Sequence, residues 1–163
     1  MPRPYKPLAI ANEFILRSAP HGAEHMKLQK LVYYAYGWWL ASHSDRLTTE
    51  PPQVWKHGPV FETLYHSLSN FKDNPVHNVQ KDHPFKIAPR VDEEDAEVCE
   101  LVEFIWEKYG GFDSYQLSDR SHKVGSPWRQ VAESLSFRVP FRTEIPDNII
   151  KAYFQDLATR SAI

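Results

Sequence analysis

The residues of this chain best suited to chemistry are its eight histidines, His21, His25, His43, His57, His66, His77, His83 and His122. Imidazole binds metals and moves protons near neutral pH. His21 and His25 have the spacing of two ligands on one helix face. Pro20 and Gly22 argue against a helix through them, however, and no HExxH pattern occurs. The imidazoles read as solvated or hydrogen-bonded groups, and no metal site is expected. His57 and His122 could act in proton transfer, but neither stands in a recognisable arrangement with an acid or a nucleophile. Asp119, Ser121 and His122 are close in sequence, yet neighbouring residues on a helix point apart, so closeness does not make a triad. Cys99 is the only cysteine and lies among carboxylates that suppress a thiolate. It reads as a small core residue or a surface thiol. GxSxG, GxxxxGK[ST] and GxGxxG are all absent. The expectation is a protein with no catalytic residue and no cofactor, which converts no substrate.

The elements that would position these side chains centre on residues 26–41, MKLQKLVYYAYGWWLA. Polar side chains occur only in the first turn, at Lys27, Gln29 and Lys30. A surface helix has an apolar stripe of roughly 100° and a polar back. This one has almost no polar back, so it must be covered on most sides, by the rest of its domain or by another protein. Trp38 and Trp39 point about 100° apart on a helix. One intramolecular face can hardly absorb both of them together with Tyr33, Tyr34 and Tyr36. Core packing and partner contact are both open for this set.

Apolar periodicity predicts an amphipathic helix over 8–18, ended by Pro20 and Gly22. Residues 53–56 form a short extended piece. Gly58-Pro59 predicts a helix starting at Pro59 and running through Phe61, Leu64, Tyr65 and Leu68. Residues 70–90 read as a long connection, with a small hairpin as an option. A helix over 92–109 would carry Asp92, Glu93, Glu94 and Asp95 in its first turn. The acidic run of that helix is either a solvated face or a docking surface for a basic partner. Asp113 with Gln116 resembles a capping box, and Ser126-Pro127 a helix start. A last helix spans 147–159. The architecture expected is mainly α: a single compact domain of about six helices, with at most short peripheral strands, across residues 1–163 and with its core at 8–155.

The chain has 163 residues, 42% of them hydrophobic, 25% charged and 13% aromatic, with a net charge of −2. That balance does not suggest nucleic acid as the main partner. One cysteine permits no internal disulfide. No apolar leader follows the first six residues, and the apolar run at 31–41 is too short for a membrane span. A cytoplasmic protein is expected.

Three blocks in order, AIANEFI at 9–15, MKLQKLVYYA at 26–35 and WKHGPVFETLY at 55–65, resemble the Panacea domain, the SocA-like antitoxin family often found beside phage and toxin genes. Leu117-Ser118, His122 and Pro127-Trp128 resemble its looser later motif, and IIKAYF at 149–154 its closing helix. The resemblance implies a mainly helical domain that neutralises a toxin encoded in the same operon by direct protein contact, with no catalytic residues. It also raises an alternative role, a proteolytic adaptor that delivers its toxin to the ClpXP protease. Operator binding is not expected, since the chain has no spare length for a DNA-binding module. Gln29, Lys30, His57 and His122 are polar residues inside apolar blocks. Together with Gly58, Pro59 and Trp128 they read as structural, satisfying buried backbone groups and fixing helix packing. Candidates for partner contact are Tyr33, Tyr36, Trp39, Trp55, His57 and Tyr65. The loop at 43–54 and the connection at 70–90 are the variable surfaces where recognition is expected.

Overall fold

The second helix sets the architecture. The computed structural model describes residues 3–161. In it α2 (His25–Ser42) is touched by α1 (Pro7–Arg17), by α3 (Glu62–Leu68), by α4 (Ala96–Tyr109), by α5 (Ser114–Ser121) and by α7 (Asp147–Ser161). Between Leu28 and Leu40 only Trp38 keeps partial exposure. The cover that its sequence demands is therefore the rest of the chain. A short 3-10 turn (Ser69–Phe71) follows α3, and α6 (Pro127–Ser134) packs near the C-terminal helix. Among the described residues, seven α-helices are joined by one two-stranded antiparallel sheet, β1 (Gln53–Trp55) with β2 (Gly58–Val60). The protein is thus mainly α, with one more helix than expected. No helix among the described residues is long and apolar enough to cross a membrane.

Local signals explain most boundaries. Pro7 and Pro127 open α1 and α6 at positions where a missing N–H has no partner to lose. Asp113 and Gln116 form a complete capping box at α5, and Ser126 caps α6 through the Arg129 amide. Two boundaries differ from expectation. Pro59 does not start a helix. It lies in β2 opposite Val54, and α3 begins at Glu62. Gly58 has φ +111°, closed to other residues, and this lets the chain reverse after Trp55. β2 is the outer strand, where a proline's missing donor costs nothing, while β1 is held on its other side by the Val54 amide to the Thr143 carbonyl.

The second correction concerns the acidic run. Helix α4 starts only after Asp95, whose carboxylate caps the Val98 amide, so the four acids precede the helix instead of filling its first turn. Asp95 also accepts a hydrogen bond from the Tyr5 hydroxyl at 2.7 Å. The connection at 70–90 contains no hairpin; its one bridge joins Val76 to Ala23. It is pinned to α1 by the buried Asn12, which donates to the Gln80 and Pro89 carbonyls.

The tightest contact in the core lies between α2 and α7. Gly37 faces the ring of Phe154, which also meets Tyr33, Tyr34 and Trp38 edge-on at 5.5–6.1 Å. A Cβ on Gly37 would overlap that ring, and the surrounding aromatics leave the ring no room to move. Gly37→Ala is expected to lower stability by ~1–3 kcal/mol through overpacking, despite alanine's better helix propensity. Phe154→Leu should recover part of that loss in the double variant. Urea unfolding measures both, and a G37A midpoint at or above that of the parent would refute this packing.

Candidate functional site

The hairpin at 53–60 is where the singled-out polar residues converge. Gln29 and Lys30 lie in the second turn of α2, aimed at it. The Gln29 carboxamide oxygen accepts from the Phe61 amide at 2.9 Å, and its nitrogen donates to the Phe61 carbonyl at 3.3 Å. The same nitrogen lies 3.1 Å from His25 Nε2. A carboxamide has two N–H donors, so a neutral His25 can take the second. Burial, with the Lys30 charge nearby, pushes His25 down to about 4, which keeps it neutral. Lys30 is wholly buried and donates from Nζ to the Pro59 carbonyl at 2.9 Å. It forms no ion pair among the described residues, and burial pushes its ammonium down to about 7.

The far side of the hairpin is held from α5 and α6. Ser118 donates to the His57 carbonyl at 2.7 Å, and Trp128 Nε1 donates to the Trp55 carbonyl at 2.7 Å. His122 stacks edge-on against Trp128, with ring centroids 5.4 Å apart, and its carbonyl accepts from Arg129. A Cβ on Gly58 would stand 2.6 Å from Ser121 Oγ and 3.2 Å from the end of Lys30. Glycine is therefore required there by space as well as by φ. Ser121 is a packing contact of this wall, and its hydroxyl donates to the Ser118 carbonyl rather than to His122.

Held in this way, the hairpin presents side chains outward. The ring of Trp55 lies 4.8 Å from that of Tyr65, which in turn lies 5.3 Å from His25. With Met26 and His57 they line an open cleft of about 400 Å³. Tyr65 is 38% exposed, Trp55 half-buried and His57 exposed. Of the six candidates for partner contact, the structure brings these three to one face. Tyr33, Tyr36 and Trp39 are buried in the core at 2% exposure or less, with Tyr36 donating to Asp147 at 2.6 Å.

The other groups weighed for chemistry stay apart. Among the described residues no three His, Cys, Asp or Glu side chains gather as metal ligands. Cys99 is half-buried, and burial together with Glu13 and Asp95 raises its thiol. Two further buried polar residues have structural roles not read from sequence. Asn12 holds the 70–90 connection, and Glu13 pairs with Arg90 and accepts from the Val91 amide. Their signal was available, since Asn12-Glu13 sits inside an otherwise apolar helix face.

The chain matches the family described as antitoxin SocA-like, Panacea domain, over residues 28–129, more than half its length. This chain belongs to the SocA-like antitoxin family. The matched segment runs from the α2 turn that carries Gln29 and Lys30 to the α6 turn that carries Trp128, and so encloses the hairpin and the side chains that hold it. The chain is also 28% identical to Antitoxin SocA of Caulobacter vibrioides (strain NA1000 / CB15N) over 156 residues, covering 90% of this chain and 81% of that protein. No solved structure matches the chain.

The buried lysine of this SocA-like domain has a measurable consequence. Its folded pKa lies near 7 and its unfolded value near 10.5. Between those values the unfolded chain binds one more proton than the folded chain, so stability rises with pH from about 7 upward, by about 1.4 kcal/mol per pH unit. Above about pH 10 the sign reverses, because burial raises Tyr33, Tyr34 and Tyr36 and the unfolded tyrosines ionise first. Chemical denaturation across pH 6–11 should therefore show a maximum near pH 9–10. Lys30→Met should remove most of the rise and keep the fall. Lys27, half-buried and also lowered by burial, leaves a small remainder. A K30M profile parallel to that of the parent would contradict a neutral buried Lys30.

Proposed function

We propose that this chain is an antitoxin that neutralises a toxin encoded in the same operon by direct protein–protein binding, and that it meets the toxin through the hairpin face. One observation carries the location: Trp55 and Tyr65 are in ring contact beside an open cleft, on a hairpin tied down by four side chains from three helices. Tryptophan and tyrosine are the residues most enriched at interface hot spots. A surface fixed before binding loses little conformational entropy on association. Tyr33, Tyr36 and Trp39 contribute from beneath, as the core on which the face is built, because a partner could reach them only by opening the domain.

The family membership supports the antitoxin role, and the relative's name, Antitoxin SocA, points the same way. The role needs no catalytic residue, metal or cofactor, and the reading places the chain in the cytoplasm with its toxin. Delivery of the toxin to ClpXP is the alternative. It would use the same toxin-binding face and add a second contact to the protease.

Co-expression with the protein encoded by the adjacent gene tests both. Cells should survive that protein only when this chain is present, and the two should co-purify. Trp55→Ala with Tyr65→Ala should abolish rescue while leaving the far-UV spectrum and melting behaviour close to the parent, since neither side chain is in the buried core. Rescue undiminished in the double variant would displace the hairpin face, and survival independent of this chain would sink the antitoxin reading. An unchanged half-life of the neighbour with the chain present selects inhibition, and a shortened one that depends on ClpXP selects delivery.

A further inference from the structure

Arg3, Arg17, Arg46, Arg90, Arg142 and Arg160 each pair with a carboxylate. Lys108, Arg120 and Lys123 pair with none among the described residues, and all three stand around one cleft of about 220 Å³ between the end of α4, α5 and α7. No carboxylate lines it. Its walls are largely aromatic, and two of the cations lie against them. The Arg120 guanidinium sits 4.1 Å above the Phe112 ring, and Lys108 Nζ is 5.8 Å from the rings of both Trp38 and Tyr109. Through Lys123, Tyr153 and Leu157 the cleft runs on into a wider trough of about 660 Å³. Asp156 lies in that trough and is engaged by Arg160. Within the combined groove the unpaired positive charge therefore lies around the smaller cleft, on Lys108, Arg120 and Lys123.

Three cations without counter-ions among the described residues, two of them set on rings, in a chain of net charge −2, form a surface whose complement is anionic and apolar at once. The combined groove is long and open, which suits an extended segment rather than a compact small ligand. We propose that this groove receives an acidic segment of a partner protein, its carboxylates meeting Lys108, Arg120 and Lys123 and its apolar side chains lying on Trp38, Phe112 and Tyr153. The proposal rests on the reading that the chain works by protein contact, and adds to the hairpin face a second docking surface of defined charge. α5 links the two, with Ser118 and Ser121 on the hairpin and Arg120 in the groove.

The test uses the full chain and a fluorescein-labelled twelve-residue peptide of repeated Glu-Glu-Phe, with its Gln-Gln-Phe counterpart as control. The acidic peptide should bind at about 50 mM salt and weaken roughly tenfold or more at about 300 mM, as screening of exposed charges requires. The glutamine peptide should not bind. K108E/R120E/K123E should lose at least roughly tenfold in affinity with an unchanged melting curve, while W55A/Y65A should bind as the parent does. Equal binding of the glutamine peptide, or of the charge-reversed variant, would overturn the proposal. Displacement of the peptide by equimolar pyrophosphate would reassign the groove to phosphates. Self-association of the parent, lost in the charge-reversed variant, would assign it to the acidic α4 face of a second copy. Rescue by the antitoxin tested with W55A/Y65A is read separately, so failure of the groove and failure of the hairpin face remain distinct results.

Discussion

Two side chains from one turn of α2, reaching into the second strand of the hairpin and its exit, set the geometry on which everything outward of them depends. Lys30 and Gln29 together engage the backbone of Pro59 and Phe61. Burying an ammonium or a carboxamide is unfavourable unless its hydrogen bonds are made. Leaving one unmade costs about 1–3 kcal/mol, and more for a charged group. Any other register of β2 against α2 would strand both side chains at once. The apolar contacts around them are tolerant of small shifts, whereas these bonds are not. The hairpin consequently has one position, and Gly58, with a left-handed backbone and a wall of Ser121 and Lys30 against it, is the residue that lets it come that close.

The proposed toxin-binding role rests on which aromatic groups this arrangement leaves outside. The central helix contributes Tyr33, Tyr36 and Trp39 to the core, and the hairpin and α3 contribute Trp55 and Tyr65 to the surface. The residue types are the same in the two places. What separates them is that α2 is surrounded by other elements, whereas the turn of the hairpin is half-buried to exposed, its backbone held by α2, α5 and α6. The holding bonds from Trp128, Ser118 and Lys30 go to the backbone carbonyls of Trp55, His57 and Pro59, so they leave the Trp55 ring and the His57 imidazole at the surface. A structural motif and the proposed recognition surface therefore share one segment without competing for the same atoms.

Sequence periodicity and capping chemistry were enough to read α1, α2, α5, α6 and α7, because each of these is specified within its own few residues. Asp113 and Gln116 form their box without help from the rest of the chain. The failures occurred where distant residues decide. Gly58-Pro59 carries a valid helix-start signal, and it is overruled by a lysine 29 positions upstream that captures the Pro59 carbonyl. The acidic run at 92–95 matches the helix dipole, but Tyr5 and the Val98 amide hold Asp95 as a cap, so the helix begins after it. The sorting of aromatics into core and surface could not be read at all, since it depends on tertiary cover. Gln29 and Lys30 were visible as polar interruptions in an apolar block; their partners were not.

Amide hydrogen exchange on the complex with the adjacent gene's product tests the central claim most directly. If the hairpin, positioned from within by Lys30 and Gln29, is the face that meets the toxin, new protection on complex formation will appear across residues 53–65. The amides of α1, already buried within the domain, will remain unchanged. Protection that bypasses residues 53–65 entirely would contradict the account.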